Sequence, residues 1–251
     1  MVIESPPAAL TGTDKQERRR RLLQRHGLLR TFNKLAFNWF RSRFLAAADA
    51  LAVRNQLFPR DAPVTYLREV PTITVPNINA PECVQFVRSL APDLLAVCGT
   101  NVIKPEVFTL ARLGAVNIHT GITPDYRSAD PIFWAIYHRE PHKVGVTIHF
   151  VDQGIDTGAI IHQQSVPLYR GDSTATIYAR CVRTGAELYL RALDEIRAGS
   201  VRTVDHGRGN GKAFYSINMG IMQYLIFRWR FRRLKRGLPA EKLASTAAEA
   251  G

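Results

Sequence analysis

Gly114-Ala-Val-Asn-Ile-His-Thr-Gly-Ile-Thr-Pro-Asp-Tyr-Arg127 decides the reading of this chain. A short apolar run ends in polar residues two positions apart, so in a strand the side chains of Asn117 and His119 share one face. Turn formers follow. After an alternating stretch at 144–151, with Val144, Val146, Ile148 and Phe150 on one face, comes Asp152-Gln-Gly-Ile-Asp-Thr-Gly158, which carries Asp156 on a glycine-flanked turn. An amide, an imidazole and a carboxylate at strand ends suit acyl-group transfer. The amide can donate to a developing oxyanion, the imidazole can donate or move a proton, and the carboxylate can orient or ionise the imidazole. No activated Ser or Cys is evident, which favours direct transfer over a covalent intermediate.

Working outward, strand and helix patterns alternate. A helix is expected over 81–90 with Val84, Val87 and Leu90 inward, then a buried strand at 93–99 and a short helix at 105–113 that Pro105 starts and Gly114 ends. The 115–119 strand, a loop, a helix at 131–138, strands at 144–151 and 160–168, and a long helix at 173–198 complete the series. This is an α/β sheet with its ligands at the strand C-termini.

The ends read differently. Residues 1–13 look like a disordered leader. From Lys15 to about Leu51 apolar residues recur at helical spacing (Leu28, Phe32, Leu35, Trp39 or Phe40, Phe44), with Gly27 dividing two helices. Residues 53–79 are Pro-rich and irregular, with β-branched pieces at 64–67 and 72–75. Net charge is +13, but residues 1–60 hold 12 Lys/Arg against 4 Asp/Glu and residues 211–251 hold 8 against 2, so the middle is near neutral. The three cysteines, Cys83, Cys98 and Cys181, suggest neither disulfides nor a metal site, and Cys98 reads as a small buried residue. No metal is expected. No apolar run approaches the roughly 18–20 residues of a membrane span, no secretory signal is seen, and a cytoplasmic location is the default.

Five ordered blocks, Asn117-Ile-His, Pro124-Asp-Tyr-Arg, Pro131-Ile-Phe-Trp-Ala, Gly145-Val-Thr-Ile-His and Asp152-Gln-Gly-Ile-Asp-Thr-Gly, resemble the formyltransferases that use 10-formyltetrahydrofolate, over about residues 75–193. The resemblance implies a Rossmann-like, mostly parallel α/β sheet and a catalytic triad of Asn117, His119 and Asp156, in which Asn117 and a protonated His119 hold the oxyanion. It implies a folate wall from Cys98, Gly99, Thr100, Asn101, Val102 and Ile103, closed by a loop of Val151, Asp152, Gln153 and Gly154. Tyr126 and Arg127 either contact the acceptor or brace their loop. Two positions depart from the family's pattern: Ser128 where Gly is usual, and Thr120 where Pro or a small residue is common.

The chain divides into a basic helical segment (1–60), the formyltransferase catalytic domain (61–200) and a basic helical extension (201–251). Such sheets open with a strand, a helix and a strand, and nothing in residues 1–52 reads as those strands; an upstream extension is expected to restore them. The Leu28 to Leu45 stripe is expected to pack as helix along the sheet. The implied acceptor is a small primary amine, an amino-sugar nucleotide or glycoconjugate precursor, rather than initiator tRNA, whose enzymes carry a further β-barrel. The rivals are a formyltetrahydrofolate hydrolase and a truncated non-catalytic relative. The cations cluster at the chain ends, which suits solvated or membrane-peripheral helices better than nucleic acid. A homodimer is compatible with the sequence.

Overall fold

A computed structural model describes residues 2–4, 12–58, 72–206 and 211–240 of the chain. The elements run β1 (Val2–Glu4), α1 (Gly12–Phe44), α2 (Ala46–Leu57), β2 (Thr72–Thr74), α3 (Pro81–Leu90), β3 (Leu95–Cys98), α4 (Pro105–Phe108), β4 (Ala115–His119), β5 (Tyr126–Ser128), α5 (Pro131–Tyr137), β6 (Gly145–Phe150), β7 (Ile160–Ser165), α6 (Thr174–Arg197), β8 (Lys212–Phe214) and α7 (Ile221–Arg236). The α/β class is as the sequence reads. The principal sheet has the order β3-β4-β6-β7, and two further pairs, β1-β2 and β5-β8, flank it. Parallel pairing joins β1 to β2, β3 to β4 and β5 to β8, whereas β6 runs antiparallel to both β4 and β7.

That reversal places the site. Because β6 is antiparallel, Asn117 lies opposite His149 and His119 opposite Thr147. These four side chains share one face of the sheet. The other face presents Val116, Val146 and Ile148 to a buried cluster completed by Ala192 and Ile196 of α6, with Ile118 packed at its side. β6 is therefore buried on both faces, which the one-sided alternation did not foretell. Helix α6 starts at a capping box in which Ser173 accepts from the Thr176 amide and Thr176 accepts from that of Ser173. Asp172 beside it is buried and held bidentately by Arg180 at 2.9 and 3.0 Å. The start of the longest core helix is thus fixed by satisfied polar groups.

Two expectations about the front of the chain change. Val2–Glu4 is a strand paired in parallel with β2, and Ile3 and Ile73 pack against the cluster formed by Val75, Cys83, Val87 and Val97. Three residues are too few to show a period of two, so the sequence read them as leader. The expected β-branched piece at 64–67 lies outside the described residues. The stripe on α1 does not pack along the sheet: Leu28, Phe32, Trp39 and Phe44 are exposed, and α1 turns Phe37 and Phe40 towards Tyr224 of α7, with ring centroids 5.4 and 5.5 Å apart. Helix α2 is the element that packs on α6. The break at Gly27 does occur, at φ 76°, a conformation costly for any other residue.

Two smaller differences follow from packing. Helix α3 buries Cys83 and Val87 and leaves Leu90 exposed, because Leu90 sits in its last turn before a left-handed cap at Ala91. The 105–113 helix is a single turn, α4, after which the chain folds back so that the amides of Arg112 and Leu113 bond the carbonyls of Pro92 and Asp93.

Candidate active site

Asn117, His119 and Asp156 come together. The Asn117 amide donates to Asp156 Oδ1 at 3.4 Å, and His119 Nδ1 stands 3.5 Å from Asp156 Oδ2. They do not meet at the C-terminal ends of two adjacent strands, however. Since β6 is antiparallel, Asp156 leaves from the Val116 end of the pairing, and the loop between β6 and β7 carries it back over β4. Asp156 itself adopts φ 52°, a left-handed conformation that Asp tolerates better than most residues. Its Oδ2 also accepts from the Ser128 amide at 2.8 Å.

The structure adds a residue that the sequence analysis did not single out. His149 Nε2 is 3.2 Å from the Asn117 amide nitrogen and 3.4 Å from Asp156 Oδ1, while its Nδ1 is 2.8 Å from the Phe150 carbonyl oxygen. A carbonyl only accepts, so Nδ1 carries the proton and Nε2 is left to receive the Asn117 amide. The signal that would have found it is the register of β6 against β4, which a single sequence does not disclose.

The same logic fixes His119. Its Nε2 lies 2.9 Å from the Tyr126 carbonyl oxygen and so carries the proton, leaving Nδ1 as a base facing Asp156. Burial lowers the pKa of His119, and the opposing pull of Asp156 and the Tyr126 carbonyl does not restore it. The resting ring is therefore neutral, because the side chain is buried and desolvation penalises its charge. Burial pushes Asp156 upward, but its contacts with the His149 and His119 rings and the Ser128 amide outweigh it and hold the carboxyl at about 2. Asp156 is ionised at neutral pH.

Beside these groups is a cavity of about 510 Å³. Cys98, Gly99, Thr100, Asn101, Val102 and Ile103 form one wall, and Val151, Asp152, Gly154 and Ile155 another, with Tyr178 and Val182 of α6 as members the sequence did not indicate. Gln153 is exposed and outside the lining, because the tight turn between Asp152 and Thr157 faces it outward; Asp152 Oδ1 accepts there from the Gly154 amide at 3.0 Å and the Thr157 hydroxyl at 2.6 Å. Cys98 is exposed on the pocket wall, contrary to expectation, and burial around its sulfur raises its pKa, so it is a thiol rather than a thiolate nucleophile. A wall formed by the short segment after β3, opposite a partly apolar lining, suits a planar heterocycle.

Tyr126 and Arg127 brace the loop. Tyr126 is 1% exposed, donates its hydroxyl to Glu140 and stacks on Phe214 at 5.6 Å; what it offers the site is its carbonyl. Arg127 reaches the Ile155 carbonyl at 3.4 Å, tying β5 to the loop that carries Asp156. Neither lines the cavity. Ser128, at φ 72°, occupies a left-handed conformation, which accounts for the glycine usual at that position. Gly121 is required by close approach: a Cβ there would meet His119 Nε2 and Pro131 Cβ at 2.6 Å and the Tyr126 carbonyl oxygen at 2.8 Å.

The sequence profile of the formyl transferase family matches residues 48–193, more than half of the chain. The chain belongs to that family. The methionyl-tRNA formyltransferase of Chlorobium chlorochromatii (strain CaD3) is 32% identical over 158 residues, which cover 63% of this chain and 48% of the relative. That of Methylacidiphilum infernorum (isolate V4) is 35% identical over 151 residues, covering 60% and 46%. The chain spans about half the length of the curated relatives it matches. Among solved structures, a Mycobacterium tuberculosis protein described as a candidate sugar N-formyltransferase aligns with a TM-score of 0.51 at 25% identity, covering 74% of this chain and 82% of that one. Among the described residues no group of His, Cys, Asp and Glu is arranged to hold a metal ion, and no helix is long and apolar enough to cross a membrane.

Proposed function

We propose that the protein transfers a formyl group from 10-formyltetrahydrofolate to the primary amine of a small acceptor, an amino-sugar nucleotide or a related glycoconjugate precursor. The observation that carries this is the convergence of Asn117, His119 and Asp156 in the lining of a pocket walled by Cys98 to Ile103. Cys98 to Ile103, Val151, Asp152 and Gly154 would hold the folate. When bound, the donor supplies a formyl carbon on a nitrogen leaving group; the acceptor nitrogen replaces that nitrogen and loses one proton, and the leaving nitrogen gains one.

The chain's own groups meet the needs of that exchange. Asn117 is pre-aimed by His149, and its 3.4 Å contact to Asp156 is the weak one, readily given up to an oxygen that gains charge. His119 is neutral at rest and has its free ring nitrogen beside an ionised carboxylate, so it can take the amine's proton as an imidazolium that Asp156 stabilises. Removing one oxyanion donor typically costs about 10²–10³ in rate. The acceptor class rests on the likeness to the Mycobacterium tuberculosis protein, which extends over most of that chain, whereas the methionyl-tRNA formyltransferases are matched over less than half of theirs.

The test is incubation with 10-formyltetrahydrofolate and a panel of amino-sugar nucleotides, with products resolved by mass spectrometry. An N-formyl sugar is expected, formed in step with tetrahydrofolate. Formate released at the same rate without any amine would mean that water is the acceptor and would overturn the transferase reading.

A further inference from the structure

A second cavity, larger than the one at the chemistry, lies among the helices. This space of about 960 Å³, at the upper end of the usual range for ligand pockets, lies where α1, α2, the start of α6 and α7 meet. It adjoins the smaller pocket, since Thr120 and Tyr178 line both. Its walls are apolar, with Phe37, Val53, Phe133, Phe227 and Phe231 among them. Around them stand Arg41, Arg54, Arg228, Arg232 and Lys235, against Asp49, Asp130 and Asp172. Asp172 is already neutralised by Arg180, and burial raises the pKa of Asp49. Among the described residues Arg54, Arg228 and Arg232 form no ion pair, Arg228 lying over the Tyr224 ring at 5.9 Å, so the rim carries a surplus of positive charge.

An apolar interior with a cationic rim is complementary to a molecule with a hydrocarbon chain and a phosphate. A second observation points the same way: the two helices that frame the cavity turn large apolar side chains to solvent, Leu29 at 88% exposure and Phe32 at 73% on α1, Leu225 and Trp229 on α7, interspersed with Arg30, Arg228, Arg232 and Arg233. That composition suits a helix pair lying on an anionic lipid surface.

We propose that this cavity binds the lipid phosphate portion of the acceptor, so that the amine is carried on a lipid-linked sugar phosphate, with its chain in the large cavity and its amine at His119. The inference rests on the formyl-transfer reading of the neighbouring pocket. It makes Arg228 and Arg232 phosphate-binding residues and Ala50 part of the wall facing the chain.

The test uses the full-length protein and dodecyl phosphate, with dodecanol and inorganic phosphate as controls, measured by isothermal titration. Dodecyl phosphate should bind at least about tenfold more tightly than either control. Ala50→Trp, which fills the cavity, and the double variant Arg228→Glu/Arg232→Glu should each weaken it at least about tenfold, while melting temperature and folate affinity stay as in the wild type. Sedimentation with vesicles containing phosphatidylglycerol supplies the second arm. If the protein sediments with vesicles but takes up no dodecyl phosphate, and Ala50→Trp sediments equally, the helices only touch the surface and the cavity proposal is overturned. The two readings fail separately: uptake of dodecyl phosphate with no formyl transfer to any amine refutes the reaction, whereas turnover of soluble amino-sugar nucleotides without dodecyl phosphate binding refutes the lipid site alone.

Discussion

The reaction centre and the helical layer formed by α1 and α7 solve opposite problems within one chain. Asn117, His119, His149 and Asp156 are joined by contacts of 3.2 to 3.5 Å, and Gly121 is pressed against His119. In the helical layer Leu29, Phe32, Leu225 and Trp229 point outward, cations stand at the surface, and the adjoining cavity is about 960 Å³. A site that must hold a proton at one nitrogen needs fixed geometry. A surface that meets a bulky amphiphile needs apolar area and charge, with little demand on where each side chain stands.

The contrast can be broken most severely at Gly121. Gly121→Ala should lower the formyl-transfer rate at least about 100-fold and cost about 1–3 kcal/mol of stability, because the added carbon must displace His119, Pro131 or the Tyr126 carbonyl. Wild-type turnover in this variant would show that the site tolerates displacement and that the contrast is false.

Acid should unfold the protein through the site. Asp156 has a folded pKa of about 2, below its ordinary 3.8, so its contribution is present above about pH 4 and is lost as pH falls towards 2. His119, lowered by burial from 6.5, acts in the same direction at higher pH: the unfolded chain takes up its proton first, so stability falls as pH drops below 6.5 towards the folded value. The Asp156 share is about 2 kcal/mol by the conversion of about 1.4 kcal/mol per unit. Urea unfolding from pH 5 downward should show wild type losing stability faster than Asp156→Asn. Parallel curves would mean that Asp156 is not held in its charged form.

The smallest effect is expected in the helical layer. Leu29→Lys and Phe32→Lys should each change stability by no more than about 0.5 kcal/mol, since neither side chain is buried. A loss above 1 kcal/mol would reveal that another surface covers this face.

The same contrast explains what could be read in advance. Strand β4 and the turn bearing Asp156 were legible because polar side chains interrupt an otherwise regular apolar pattern. Helices α5 and α6 were legible because Pro131 and Ser173 mark their starts. The role of His149 depends on pairing between strands 30 residues apart, and the inward turn of Tyr126 on its bond to Glu140, neither of which leaves a local trace. The α1 stripe misled for a physical reason: helical periodicity shows that an apolar face exists, and not which surface covers it.

The central claim is that His119 acts on the reacting groups and not on the folate. It is tested most directly by His119→Ala, with turnover at saturating donor and amine measured alongside equilibrium binding of folate. The account predicts a fall in kcat of about 10²–10³ with folate affinity within about twofold of wild type. Retained turnover with lost folate affinity would contradict it.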